Sequence, residues 1–209
     1  MFLFTLVLQV LFLPEADNLK CECASNLPGS CTQKTIECSS QNYRCSAATQ
    51  VKFLGGAKFS ELNDKSCVLP ELCLDFSVNY GAYRVVQKSS CCNGDICNAK
   101  IDYPKPDDKL TPSGRKCFSC VGENCMKTLD CVGDENYCVK VTGNLDGASL
   151  TMKGCASELV CSDKTASLVN QFTGVKLSCC QGDYCNSASS ASPTLLLLLV
   201  PLLISTLFS

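Results

Sequence analysis

Through the middle of this chain the apolar residues fall in short stretches separated by turn-forming ones, and at each end they merge into one long run. Residues 137–142 and 148–153 flank a cluster of Gly143, Asn144, Asp146 and Gly147, as expected of two hairpin strands around a loop. Residues 50–54 and 57–62 flank Gly55 and Gly56 and predict another hairpin. Residues 85–89 and 175–178 run as short strands into adjacent pairs of cysteines. No helical spacing of apolar residues persists long enough to predict a long helix. The pattern therefore predicts small, all-β units.

The terminal runs read as processing signals. Residues 2–13 form an apolar run of signal-peptide length followed by Pro14, Glu15 and Ala16, which predicts a signal peptide over 1–16, cut after Ala16 or, with slippage, toward Asn18. The competing reading, a buried N-terminal helix, fits less well because the run begins at Met1 and stops before the first cysteine. At the other end, the small residues of 186–192 and then Pro193 and Thr194 precede an uncharged apolar tail over 195–208. A spanning helix needs about 20 apolar residues and usually carries Lys or Arg beyond it. This tail is shorter, contains Pro201 and has no charge after it. It predicts a glycosylphosphatidylinositol (GPI) signal over 187–209 whose tail is removed, with lipid on Ser187 or, alternatively, Asn186, Ser189 or Ser190. A true membrane span is the competing reading.

Composition sharpens the compartment. Of 209 residues, 20 are cysteine and none is histidine. Cysteine in such number and even count belongs to the oxidising secretory route, where disulfides persist. A formal net charge of −2 provides no basic field for phosphate backbones, so no nucleic-acid partner is expected.

The cysteines form two blocks of ten, over residues 21–97 and 117–185, and the blocks repeat each other. In both, the fourth and fifth cysteines are 7 apart, the sixth and seventh 6, the seventh and eighth 18, the next pair adjacent, and the last 5 further on. The blocks close alike, with CCNGDICN ending at Asn98 and CCQGDYCN ending at Asn186. Residues 99–116 between them hold three prolines and eight charges and no cysteine before 117, which reads as a stiff linker. The predicted organisation is thus a domain over 17–98, a linker over 99–116 and a second domain over 117–186. A block this small buries too little apolar surface to stand alone, and each closed loop adds about 3 kcal/mol in the chain-entropy account of disulfides. Spacing alone leaves the connectivity open, since ten cysteines allow roughly 945 pairings.

The run KCFSC at 116–120, the later CC pair and the terminal Cys185-Asn186 resemble a domain of the lymphocyte antigen 6 and urokinase receptor family, the three-finger fold. The first block is similar. The resemblance implies two tandem three-finger, snake-toxin-like domains, disulfide-rich and all-β. It implies the bridges Cys117–Cys138, Cys120–Cys125, Cys131–Cys155, Cys161–Cys179 and Cys180–Cys185. In the first block the counterparts are Cys21–Cys45, Cys23–Cys31, Cys38–Cys67, Cys73–Cys91 and Cys92–Cys97. One departure is visible: a single residue separates Cys21 from Cys23, where the family pattern has two. The resemblance further implies that Asn98 and Asn186 tie each domain's end back to its first strand.

Catalytic chemistry finds little to stand on. Cys117-Phe118-Ser119-Cys120 has the spacing of a redox dithiol, but no thioredoxin-like strand and helix alternation surrounds it. Oxidised sulfurs offer zinc no thiolate, so neither a metal nor another cofactor is expected. Without histidine, Ser-His-Asp and Cys-His arrangements cannot be assembled. The carboxylates are scattered and read as solvated surface charges, and no Asn-x-Ser/Thr sequon is present. The chain reads as a binding protein and not an enzyme.

In three-finger folds binding is carried on hairpin loops held by a cysteine base. Candidate contacts are Lys52, Phe53, Leu54, Lys58 and Phe59 on the second finger of the first domain, and Tyr80, Tyr83 and Arg84 on its third. In the second domain they are Asn144, Leu145 and Asp146, with Phe172 on the third finger. For any one of them a place in the small core is an equal expectation. The leading expectation is a GPI-anchored receptor or adhesion ectodomain on the extracellular face of the plasma membrane, recognising an extracellular protein ligand. The alternative is a secreted binding protein similar to the gamma-type phospholipase inhibitors.

Overall fold

The computed structural model describes residues 18–106, 111–121, 125–145 and 148–187. The expected signal peptide over 1–16 and all but the first residue of the expected lipid signal lie outside them, as do Asp146, Ser189 and Ser190.

The chain is built from strands. In order they are β1 (Lys20–Glu22), β2 (Ala24–Ser25), β3 (Thr35–Glu37), β4 (Arg44–Leu54), β5 (Ala57–Val68), β6 (Phe76–Asn79) and β7 (Tyr83–Cys92). Then come β8 (Pro112–Val121), β9 (Lys127–Val132), β10 (Tyr137–Leu145), β11 (Ala148–Ala156) and β12 (Lys176–Cys180). Short 3-10 turns occupy Pro70–Leu72 and Cys97–Lys100, and among the described residues one helix, α1, spans Asp163–Thr173. Gly55 and Gly56 form the two-residue turn between β4 and β5, both at positive φ, as such a tight hairpin requires.

Two features differ from the sequence expectation. The helix α1 stands in the third finger of the second block, where no helix was expected. Its start is capped by Ser162, whose hydroxyl accepts from the Thr165 amide at 3.2 Å, and its end is closed by Gly174 in the left-handed conformation. The second difference concerns residues 99–116: β8 begins at Pro112, inside the stretch read as linker, and the 3-10 turn reaches Lys100.

The molecule divides into two compact units. The first comprises Met1–Thr49, Leu62–Leu74 and Ser89–Pro104. Its described core is a sulfur cluster of Cys21, Cys38 and Cys45, against which Leu19, Tyr43, Cys67, Cys92 and Cys97 pack. Its bridges are Cys21–Cys45, Cys23–Cys31, Cys38–Cys67, Cys73–Cys91 and Cys92–Cys97.

The second unit comprises Gln50–Glu61, Asp75–Lys88 and Lys105–Ser209, so the fingertips of the first cysteine block belong with the second block. Its bridges are Cys117–Cys138, Cys120–Cys125, Cys131–Cys155, Cys161–Cys179 and Cys180–Cys185. Within it the strands are hydrogen-bonded in the order β12-β10-β11-β6-β7, with β8 on β11 and β9 on β8. The β6–β11 pair sets Asn79 opposite Cys155 and Val78 opposite Ala156. A Cβ on Gly154 would stand 1.9 Å from the Asn79 carbonyl oxygen, so only glycine admits this approach. Beside a sulfur cluster of Cys117, Cys131, Cys138 and Cys155, this unit has an aliphatic core of Val139, Val141 and Ala156, joined by Val78 and Tyr80.

The repeated Gly-Asp-x-Cys-Asn closures perform the same task in both blocks. Asp95 accepts from the Lys20 amide at 2.9 Å, and Asp183 from the Lys116 amide at 3.1 Å. Ile96 and Tyr184, both at positive φ, donate their amides to the Lys20 and Lys116 carbonyls. The Asn98 side chain accepts from the Glu22 amide and donates to the Glu22 and Ser46 carbonyls. Asn186 accepts from the Phe118 amide and donates to the carbonyls of Phe118 and Val139. Both asparagine side chains are buried, so the bonds they make satisfy amide groups shut away from water.

Candidate binding site

The second finger of the first block ends in an apolar tip. On β4 and β5, Leu54 is 59% exposed and Phe59 56% exposed, flanking the two-glycine turn. A hairpin alternates its side chains between faces, so residues neighbouring these in sequence can turn inward. Phe53 does so. Its ring lies under the guanidinium of Arg84 at 5.8 Å, and the Phe59 ring lies 6.3 Å from that of Tyr83.

Beside the tip is a cavity of about 440 Å3, contained within the second unit. Phe53, Ala82, Leu129 and Val132 supply its apolar walls, and Arg84, Lys58 and Asp130 its charges. Lys58 is paired with Glu61, and Asp130 with Lys116 at 3.7 Å.

Arg84 is held from behind by a carboxylate that sequence reasoning assigned to solvent. Glu135 is fully buried. Its Oε1 accepts from Arg84 Nε at 2.8 Å and from Ser77 Oγ at 2.6 Å, while Oε2 accepts from Asn79 Nδ2 at 3.3 Å and the Val132 amide at 3.1 Å. Four donors, one of them a cation, offset the desolvation of the charge. No local sequence signal marks Glu135, because its partners lie on β6, β7 and β9. Ser77 and Ser157 add a reciprocal pair, each amide donating to the other residue, to the Ser157 hydroxyl at 3.0 Å and the Ser77 carbonyl at 2.9 Å.

The remaining candidates scatter. Tyr80 is half-buried against the aliphatic core rather than presented to solvent, and burial, with a smaller contribution from Tyr83, pushes its phenol up to about 12. Tyr83 and Lys52 are half-buried. Asn144 is exposed on β10; Leu145 ends that strand and Phe172 lies on α1, with side chains outside the described set. The structure thus gathers Phe53, Lys58 and Arg84 around one cavity, with Leu54 and Phe59 beside it in sequence, and places Asn144, Leu145 and Phe172 on other elements. Leu129, Asp130 and Val132, on β9, were missed because no turn or hairpin signal singled out that stretch.

Ser187 is exposed and follows the buried, fully engaged Asn186. Two sulfur triads, Cys21-Cys38-Cys67 and Cys117-Cys131-Cys155, are compact enough to suggest metal ligation, but all six sulfurs are in disulfides and present no thiolate.

Comparison with known proteins agrees with this architecture. The u-PAR/Ly-6 domain profile matches residues 17–100, and the profile for snake toxin and toxin-like proteins matches 115–186. The chain is 25% identical to the urokinase plasminogen activator surface receptor of Rattus norvegicus, over 86% of this chain and 58% of that protein. It is 30% identical to a gamma-type phospholipase A2 inhibitor of Laticauda semifasciata, over 63% of this chain and 82% of the inhibitor. It is 27% identical to Ly6/PLAUR domain-containing protein 8 of Bos taurus, over 83% and 80% of the two chains. The chain spans little more than half the length of the rat urokinase receptor it matches, and 31% of the bovine one.

Proposed function

This chain belongs to the u-PAR/Ly-6 domain family, with two three-finger domains, and from that premise we propose that it is a GPI-anchored surface receptor or adhesion ectodomain for an extracellular protein ligand. The observation that carries the reading is the exposed apolar tip of Leu54 and Phe59 beside a walled cavity, since large exposed apolar side chains next to a pocket mark interaction sites. Relatives named as receptors and inhibitors support binding as the task. Anchorage rests on the small residues at 186–192 and the apolar tail after them, with lipid on Ser187, because Asn186 is already committed to the fold. The organisation into domains over 17–98 and 117–186 remains part of this proposal.

A second reading, a secreted inhibitor, is favoured by the 82% coverage of the Laticauda inhibitor. One experiment separates them. Cells expressing the native chain are treated with phosphatidylinositol-specific phospholipase C and stained without permeabilisation. Surface staining that the lipase releases is the expected result. Protein found only in the medium, without lipase, would replace the receptor reading with the inhibitor reading.

A further inference from the structure

We propose that the cavity lined by Phe53, Leu129, Val132 and Arg84 is an anchor pocket for one apolar side chain of a protein partner and the carboxylate next to it, the carboxylate being held by Arg84. The proposal deepens the binding reading above and rests on it.

Arg84 is a preset donor. Its Nε is bonded to Glu135, whose own position is fixed by Ser77, Asn79 and the Val132 amide, so the plane of the guanidinium is held before any partner arrives. Among the described residues the two terminal amino groups make no hydrogen bond, and no buried side-chain nitrogen there lacks one. They therefore reach solvent, and Arg84 lines the cavity. An arginine fork fixed at one edge and open at the other matches a carboxylate, which takes two parallel N–H donors.

The rest of the lining selects what accompanies that carboxylate. Phe53 lies under the guanidinium and Leu129 and Val132 wall the cavity, so an aliphatic or aromatic group enters without desolvating anything unpaired. Asp130 on the same lining disfavours a second carboxylate, which gives the occupant a direction. Lys58 is ion-paired with Glu61 at the surface and is a point charge, so the planar fork that distinguishes an acid from an amide is that of Arg84. A volume of about 440 Å3 is ample for such a two-group anchor.

The test uses the whole disulfide-bonded protein with labelled methyl groups and arginine, titrated with 4-methylpentanoate and, separately, with 4-methylpentanamide. Saturable shifts of the Leu129 and Val132 methyls and of the Arg84 side-chain protons are expected with the acid, and binding about tenfold weaker with the amide. Ala82→Phe narrows the cavity at an exposed position and should abolish the response. Arg84→Lys keeps a cation opposite Glu135 but loses the fork, and should weaken the acid while sparing the amide. No saturable shift up to about 20 mM acid, equal response to the amide, or an undiminished response in Ala82→Phe would overturn the proposal. This readout is independent of anchorage. Failure of the lipase test with a responding pocket leaves a soluble binder, and the reverse leaves a surface receptor that binds elsewhere.

Discussion

The two compact units follow the same cysteine plan and are held together differently. In the first, the described core cluster is sulfur, with only Leu19 and Tyr43 packed on it besides further cysteines. In the second, a comparable sulfur cluster is joined by Val139, Val141 and Ala156 and by a buried polar centre around Glu135. A shared cysteine plan therefore does not mean identical energetics. Where apolar side chains are few, cross-links must restrict the unfolded chain, and where a valine core exists they supplement packing.

The contrast can be broken most forcefully at the bridges. Replacing Cys21 and Cys45 together by serine is expected to unfold the first unit at 37 °C, since losing such a bridge costs about 2–5 kcal/mol in a domain with little else. The same change at Cys117 and Cys138 should lower the thermal midpoint but leave β10 and β11 protected from amide exchange. Equal loss of protection in both variants would show that the valine core adds nothing.

Next in size is Gly154→Ala, whose new Cβ meets backbone at Asn79. A cost above about 4 kcal/mol is expected, because a carbonyl in a strand pair cannot swing aside as a side chain can. Exchange protection at Val78 and Asn79 should vanish first; survival of that protection would mean that β6 and β11 part easily.

Glu135→Gln tests the polar centre. Removing one partner of a buried pair strands the Arg84 charge and should cost about 3 kcal/mol, read from denaturant midpoints. Glu61→Gln, whose ion pair with Lys58 lies on the surface, should stay within about 1 kcal/mol of wild type.

The smallest effect is a titration. Tyr80 is held neutral by burial, with its phenol up at about 12 in the fold against 10.0 when free. A raised folded value means that its contribution is full below pH 10 and falls as the pH rises toward 12, because the unfolded chain loses the proton first. An ultraviolet absorbance titration should show a tyrosine ionising near 12 whose step is missing in Tyr80→Phe. If every tyrosine ionises near 10, the side chain is not packed against Val139 as described.

Much of this was readable along the chain. Gly55-Gly56 announced a tight hairpin, the structure places β4 and β5 around it, and both strands run on toward the bridged Cys45 and Cys67. The helix α1 carries local signals, Ser162 as a cap and Gly174 as a stop, but at eleven residues it is too short for a sustained helical spacing of apolar residues to reveal it. The cavity was half legible: Phe53, Lys58 and Arg84 were candidates, whereas Leu129, Asp130 and Val132 come from a strand about 45 residues further along than Arg84.

Local chemistry, then, determined the elements of this protein: turns where glycine and asparagine interrupt apolar stretches, a compartment set by thiols that must oxidise, and a cysteine plan repeated with its Gly-Asp-x-Cys-Asn closures. Tertiary structure alone decided that fingertips of one cysteine block would join the other, that Glu135 would be buried, and that Arg84 would face a cavity. The reason is physical. A buried charge is stable only when several distant donors converge on it, and no spacing along a chain records which distant groups will meet.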